Sequence, residues 1–153
     1  MISDELRESY LLAAEACRYA AEQGWRPADG LLVADHHSPN EWSCCALGAV
    51  ALKREVDGNT YWSDFAEALE FVADLSLSMA LGDTGGREAA IGVAHIFDSI
   101  VDTWDLCVRG IMPPGYRHAY RLRELNHTYE SMAKLTPTEV WLLAAKRFEQ
   151  LAN

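Results

Sequence analysis

The sequence predicts an all-α fold, a single-domain bundle of five or six helices. Apolar residues recur at alternating spacings of three and four, helix-capping motifs with proline at the first helical position occur in two places, and no alternation of period two is sustained. At 153 residues the chain is long enough to bury one core without disulfides or a structural metal. Nothing in its composition reads as a linker or a disordered tract, so residues 1–153 are expected to form one helical domain.

Ser3 caps a first helix that runs to about Gln23, with Leu6, Tyr10, Ala13, Cys17 and Ala20 on one side and Gly24 as its stop. Trp25 to His37 is irregular, anchored only by Leu31-Leu32-Val33. Ser38-Pro39-Asn40-Glu41 is a capping box, which predicts a helix running from there through Trp42 and the apolar run Cys44 to Leu52. After the turn Asp57-Gly58-Asn59, Thr60 or Ser63 opens a third helix to about Leu81, its inner face marked by Phe65, Leu69, Val72, Ser76 and Met79. Gly82 to Gly86 breaks the chain. A fourth helix then runs from Arg87 to about Cys107, burying Ile96, Phe97, Ile100, Val101 and Trp104. Gly110 and Pro113-Pro114-Gly115 end it.

Tyr116 to Leu125 has helical composition, a break is expected near Asn126, and Asn126 to Lys134 is compatible with helix or loop. Thr136-Pro137-Thr138-Glu139 is the second capping box and opens a last helix carrying Trp141, Ala145, Phe148 and Leu151. Trp25, Trp42, Trp62, Trp104 and Trp141 are read mainly as core anchors.

A formal charge of −10 opposes direct binding to nucleic acid or to anionic lipid, since both reward positive charge. Through Asp105 there are 19 acidic and 6 basic residues, whereas from Leu106 onward there are 4 and 7. Any basic partner is therefore expected on the first two thirds. The longest apolar run, Cys44 to Leu52, is too short to span a bilayer, and the acidic N-terminus lacks the pattern of a secretory signal. Cys17, Cys44, Cys45 and Cys107 lack CxxC spacing and read as reduced, buried thiols, which with the absent signal places the chain in the cytoplasm.

The order Gly24-Trp25, then Cys45-Ala46-Leu47-Gly48-Ala49, then Leu125-Asn126 and Thr138-Glu139-Val140 resembles a family of small uncharacterised helical proteins of actinobacteria and their phages. Members of that family show a Cys-Ala-Leu-Gly-Ala helix and a Trp-Asn-Asp segment ahead of a Thr-x-x-Glu-Val helix. Here Leu125-Asn126-His127 stands where the Trp and Asp are expected. The resemblance implies a helical fold and a phage or actinobacterial source, and it brings no activity with it.

Several residue groups can carry function. Asp64, Glu67, Glu70 and Asp74 form an acidic stripe on the third helix, and His95, Asp98, Asp102 and Asp105 line one face of the fourth. From Glu55 to Asp105 the only lysine or arginine is Arg87, so the two stripes together are either a solvated surface or a dock for a basic protein. Imidazole and carboxylate at helical spacing also suit a divalent metal, which makes His95, Asp98 and Asp102 the centre of an alternative metal-binding or hydrolase reading. A zinc site from His36, His37, Cys44 and Cys45 is disfavoured, because neighbouring residues on a helix diverge by about 100°. Tyr116, Arg117, Tyr120, Arg121 and Arg123 interleave rings and charges and either stack on bases or answer the acidic helices within the fold or across a homodimer. No GxSxG, P-loop, GxGxxG or HExxH motif occurs, so no cofactor is implied. The leading expectation is a non-catalytic acidic interaction module that engages a basic protein surface through Asp64, Glu67, Glu70, Asp74, Asp98 and Asp102. Given the resemblance, it would act as an accessory modulator or inhibitor of host or defence machinery.

Overall fold

A computed structural model describes residues 2–30, 33–34, 43–58, 72, 75, 79–81, 86–111 and 122–153. Their helices are α1 (Asp4–Gln23), α2 (Ala46–Gly58), α3 (Gly86–Val108), α4 (Tyr129–Ala133) and α5 (Pro137–Ala152). Three two-residue strands, β1 (Arg26–Pro27), β2 (Val33–Ala34) and β3 (Ser43–Cys44), accompany them. The chain is mostly helical, as the apolar periodicity predicts.

Local chemistry sets both ends of α1. The Ser3 hydroxyl accepts from Leu6 N–H at 3.2 Å, with Asp4 and Glu5 in the positive first turn. At the other end Gly24 takes φ 76°, and its N–H returns to the last carbonyls of the helix. The buried side of α1 is largely small, including Ala13, Ala14, Cys17, Ala20 and Ala21, and α5 packs along it. Tyr10 meets Phe148 at a ring separation of 6.0 Å. Arg7 Nε donates to Ala152 O at 2.9 Å, satisfying a carbonyl at the end of α5, and Arg18 pairs with Glu149 along the same seam.

α5 begins as its capping box dictates. Glu139 N–H donates to Thr136 Oγ1 at 3.2 Å while Glu139 Oε1 accepts from Thr136 N–H at 3.0 Å, with Pro137 in the first turn. Its Trp141 is fully buried, stacks on Phe97 of α3 at 5.0 Å, and donates Nε1–H to Trp25 O at 3.0 Å. α3 buries Val93, Phe97, Ile100 and Val101, while Ile96 and Trp104 are only partly buried. Trp104 Nε1–H donates to Leu135 O at 3.1 Å, tying α3 to the segment before α5. Among the described residues, the buried Ser9 and Thr103 satisfy their hydroxyls within their own helices, on Glu5 O at 2.8 Å and on Ser99 O at 2.7 Å.

Two expectations need correction. The helix expected from Ser38 through Cys44 does not run through Ser43 and Cys44, which are extended. They form the middle strand of a small sheet, parallel to β1 and antiparallel to β2, and α2 starts only at Ala46. Cys44 O accepts from Ala28 N–H at 2.9 Å, so pairing with a distant segment takes the carbonyl a helix would have used. The capping box at residues 38–41 lies outside the described residues. Met79, expected on an inner face, is 58% exposed in a 3-10 segment just before a turn, although Val72 and Leu81 on either side of it are buried. The break near Asn126 is present: Asn126 has φ 59°, and Thr128 and Ser131 form a reciprocal capping box for α4.

Replacing Trp141 with Phe keeps most of the ring and removes the indole donor from the buried Trp25 carbonyl. The expected loss is about 1–3 kcal/mol of unfolding free energy, measurable as a lower urea midpoint. An unchanged midpoint would show that this hydrogen bond contributes nothing.

Candidate functional site

Asp98, Asp102 and Asp105 follow one another at steps of four and three, so α3 presents them on one face, with His95 one turn earlier. The turn after β1 brings a fourth carboxylate to that face. Pro27 fixes the chain direction, Gly30 takes φ 69°, and its N–H donates to Asp98 Oδ1 at 3.1 Å, so Asp29 comes up against Asp102. Asp98 is thus half-buried under a loop, while Asp102 stays exposed. Asp105 is answered by Arg109 at 3.2 Å.

The electrostatics follow from this crowding. Partial burial, a side-chain hydrogen bond that the protonated Asp102 donates to Asp29, and the charges of Asp29, Asp98 and Asp105 push the Asp102 carboxyl up to about 7. Asp98 is also raised, first by burial and then by Asp29, against the opposing effects of the Gly30 N–H and His95. At neutral pH the cluster therefore holds part of a proton. A carboxyl titrating near neutrality is a property of acid–base sites as well as of over-charged surfaces.

Among the described residues no three of His, Cys, Asp and Glu converge to hold a metal ion, and the His95, Asp98, Asp102 group is no exception. His36 and His37 lie outside the described residues, as do Asp64, Glu67, Glu70 and Asp74. So do Tyr116, Arg117, Tyr120 and Arg121.

Cys17, Cys44, Cys45 and Cys107 are free and buried, in line with their reading as core thiols. Burial is the main cause that raises all four above the ordinary thiol range. Cys45 reaches only about 11, because the N–H groups of Leu47 and Gly48 at the start of α2 hydrogen-bond its sulfur.

A separate cleft opens between α3, residues 124–125 and α5. Its volume is about 240 Å³, and it is lined by Ile96, Ser99, Ile100, Leu125 and Leu151 with His95, Glu124 and Arg147. A second cavity of about 400 Å³ shares Glu124, Leu125 and Arg147 with it and adds His127, Leu142, Leu143 and Lys146. Arg147 pairs loosely with Glu124, at 3.7 Å. Sequence reasoning names neither Asp29 nor this cleft. The turn signal Pro27-Ala28-Asp29-Gly30 marks a bend, but nothing local says that the bend lands on α3.

Two outcomes follow for these groups. Between its ordinary value of 3.8 and about 7, the folded chain keeps an Asp102 proton that the unfolded chain has lost, so stability falls as pH rises through that window and is constant above it. Asp102→Asn should therefore raise the unfolding free energy at pH 8 by about 1 kcal/mol, a figure reduced for solvent screening of an exposed group. The gain should shrink towards pH 4; a gain independent of pH would refute the crowding. Iodoacetamide at pH 8 should leave Cys17, Cys44 and Cys45 unmodified in the native chain and alkylate them after denaturation, as read by peptide mass spectrometry. Compared with protein-family models, curated proteins and solved structures, the chain matches none of them.

Proposed function

We propose that this chain is a non-catalytic acidic interaction module that engages a basic surface on a protein partner. The observation that carries the proposal is the carboxylate cluster of Asp29, Asp98 and Asp102, crowded enough to hold Asp102 partly protonated. Like charges held together by a fold cost stability, and an arriving lysine or arginine removes that cost while gaining an ion pair. Binding should then release a proton. The total charge of −10 adds long-range attraction for the same class of partner. Asp64, Glu67, Glu70 and Asp74 would extend the surface along the sequence. The resemblance to actinobacterial and phage proteins suggests that the partner belongs to host or defence machinery, which the chain would modulate or inhibit.

An acid–base enzyme would also use a carboxyl near neutrality, with a cleft to hold a substrate beside it; among the described residues the cleft that α3 lines runs through Ile96 and Ile100.

The test compares the native chain with Asp98→Lys/Asp102→Lys, shown by circular dichroism to be folded, in affinity capture from an actinobacterial lysate. The recovered protein is then purified and titrated. Reversal should weaken its binding by about tenfold or more, as should raising the salt well above physiological strength, and affinity should fall as pH drops below 7. A complex indifferent to reversal and to salt removes the proposal.

A further inference from the structure

On the side of α3 away from the acidic cluster, the cleft it shares with residues 124–125 and α5 has an apolar floor and an arginine, Arg147, beside Glu124 on its wall. Ile96 and Ile100 of α3, Leu125 and Leu151 supply the floor, each only partly covered except Ile100. Arg147 stands where this cleft meets the adjoining cavity, to which Lys146 contributes a second cation and Glu124 and Glu139 two carboxylates. The Arg147 side chain is only 24% exposed, and its partner Glu124 lies at 3.7 Å, too far for a close charge-assisted hydrogen bond. Among the described residues the guanidinium therefore keeps donors in reserve, in a partly desolvated setting that suits the paired oxygens of a carboxylate.

We propose that this cleft binds a small carboxylic acid with a short unbranched hydrocarbon body, its carboxylate on Arg147 and its body on Ile96, Ile100, Leu125 and Leu151. Each part of that description has a reason. A volume of about 240 Å³ is below that of most drug-sized pockets, which fits a small molecule and excludes a folded segment. Four apolar side chains reward a hydrocarbon, because each methylene gains by leaving water. Glu124 already neutralises part of Arg147, so a monoanion is matched where a phosphate dianion would meet repulsion. The Ser99 hydroxyl and the exposed His95 imidazole also line the cleft and can solvate the head group. The site is independent of the acidic face, because binding here asks nothing of Asp98 or Asp102.

Octanoate is the probe, titrated into the full chain by isothermal calorimetry and by amide chemical-shift mapping, with octanol and octylamine as controls. Octanoate should saturate, with shifts confined to α3, residues 124–125 and the C-terminal half of α5, and octylamine should not bind. Arg147→Gln should weaken octanoate by about tenfold. Glu124→Gln frees the guanidinium and should tighten it. Ser99→Leu fills the cleft without touching charge and should abolish binding. These two variants keep the test decisive if Arg147→Gln fails to fold. No saturation at millimolar octanoate, equal binding of octylamine, or affinity unmoved by both charge variants would overturn the proposal.

Discussion

The side chain of Trp141 holds together the parts of this molecule that sequence order keeps apart. Its ring stacks on Phe97 of α3, and its indole N–H reaches the carbonyl of Trp25, the first residue beyond the glycine stop of α1. A buried carbonyl must find a donor, and the indole of the last helix supplies it. Trp25 is itself buried and meets Tyr19 edge-on at 5.5 Å, so the chain leaving α1 is fixed in position and direction. From there β1 pairs with β3, Ala28 N–H takes Cys44 O, and Asp29 and Gly30 arrive at α3. The carboxylate cluster thus depends, through six residues of chain, on an interior hydrogen bond to a helix more than a hundred residues away.

The same anchoring decides the cysteine environment. Because β3 is held between β1 and β2, Cys44 and Cys45 enter α2 from an extended strand, and Cys45 becomes the residue before the first helical one. Its sulfur then sits where a serine or aspartate commonly caps, receiving N–H groups from the first turn. Burial still outweighs those donors, since the thiol remains above its ordinary range. A catalytic thiol needs the reverse balance.

Features decided within a few residues were legible in the sequence. Ser3 and Gly24 bound α1, Thr136-Pro137-Thr138-Glu139 opens α5, and Asn126 breaks the chain where expected, because caps and left-handed stops are local chemistry. Phe97, Val101, Trp141 and Phe148 were legible as core from their spacing. What depends on distant partners was not. Two-residue strands carry no alternation to detect, and the choice between helix and strand at Ser43 and Cys44 was made by Ala28 and by Val33–Ala34. Asp98 and Asp102 were named from helical spacing, but Asp29, which changes their chemistry, comes from 68 residues away in the case of its neighbour Gly30. Met79 fitted a helical stripe and is exposed in a 3-10 segment, with a turn following at Ala80 and Leu81.

The two proposals make opposite demands on α3, one for accumulated negative charge and one for an apolar wall beside a cation. The helix can meet both because of its phase. Asp98 and Asp102 lie four residues apart, as do Ile96 and Ile100, so each pair shares a face; the two pairs are offset by two residues, or about 200° of turn. His95 lies between these faces, lowering the Asp98 carboxyl on one side and lining the cleft on the other. The interior is guarded at both edges by residues that cannot move freely, Phe97 under Trp141 and Ile100 beneath the cleft. A helix pinned in this way cannot rotate to trade one face for the other. Each face therefore keeps its own chemistry, with His95 at the border between them.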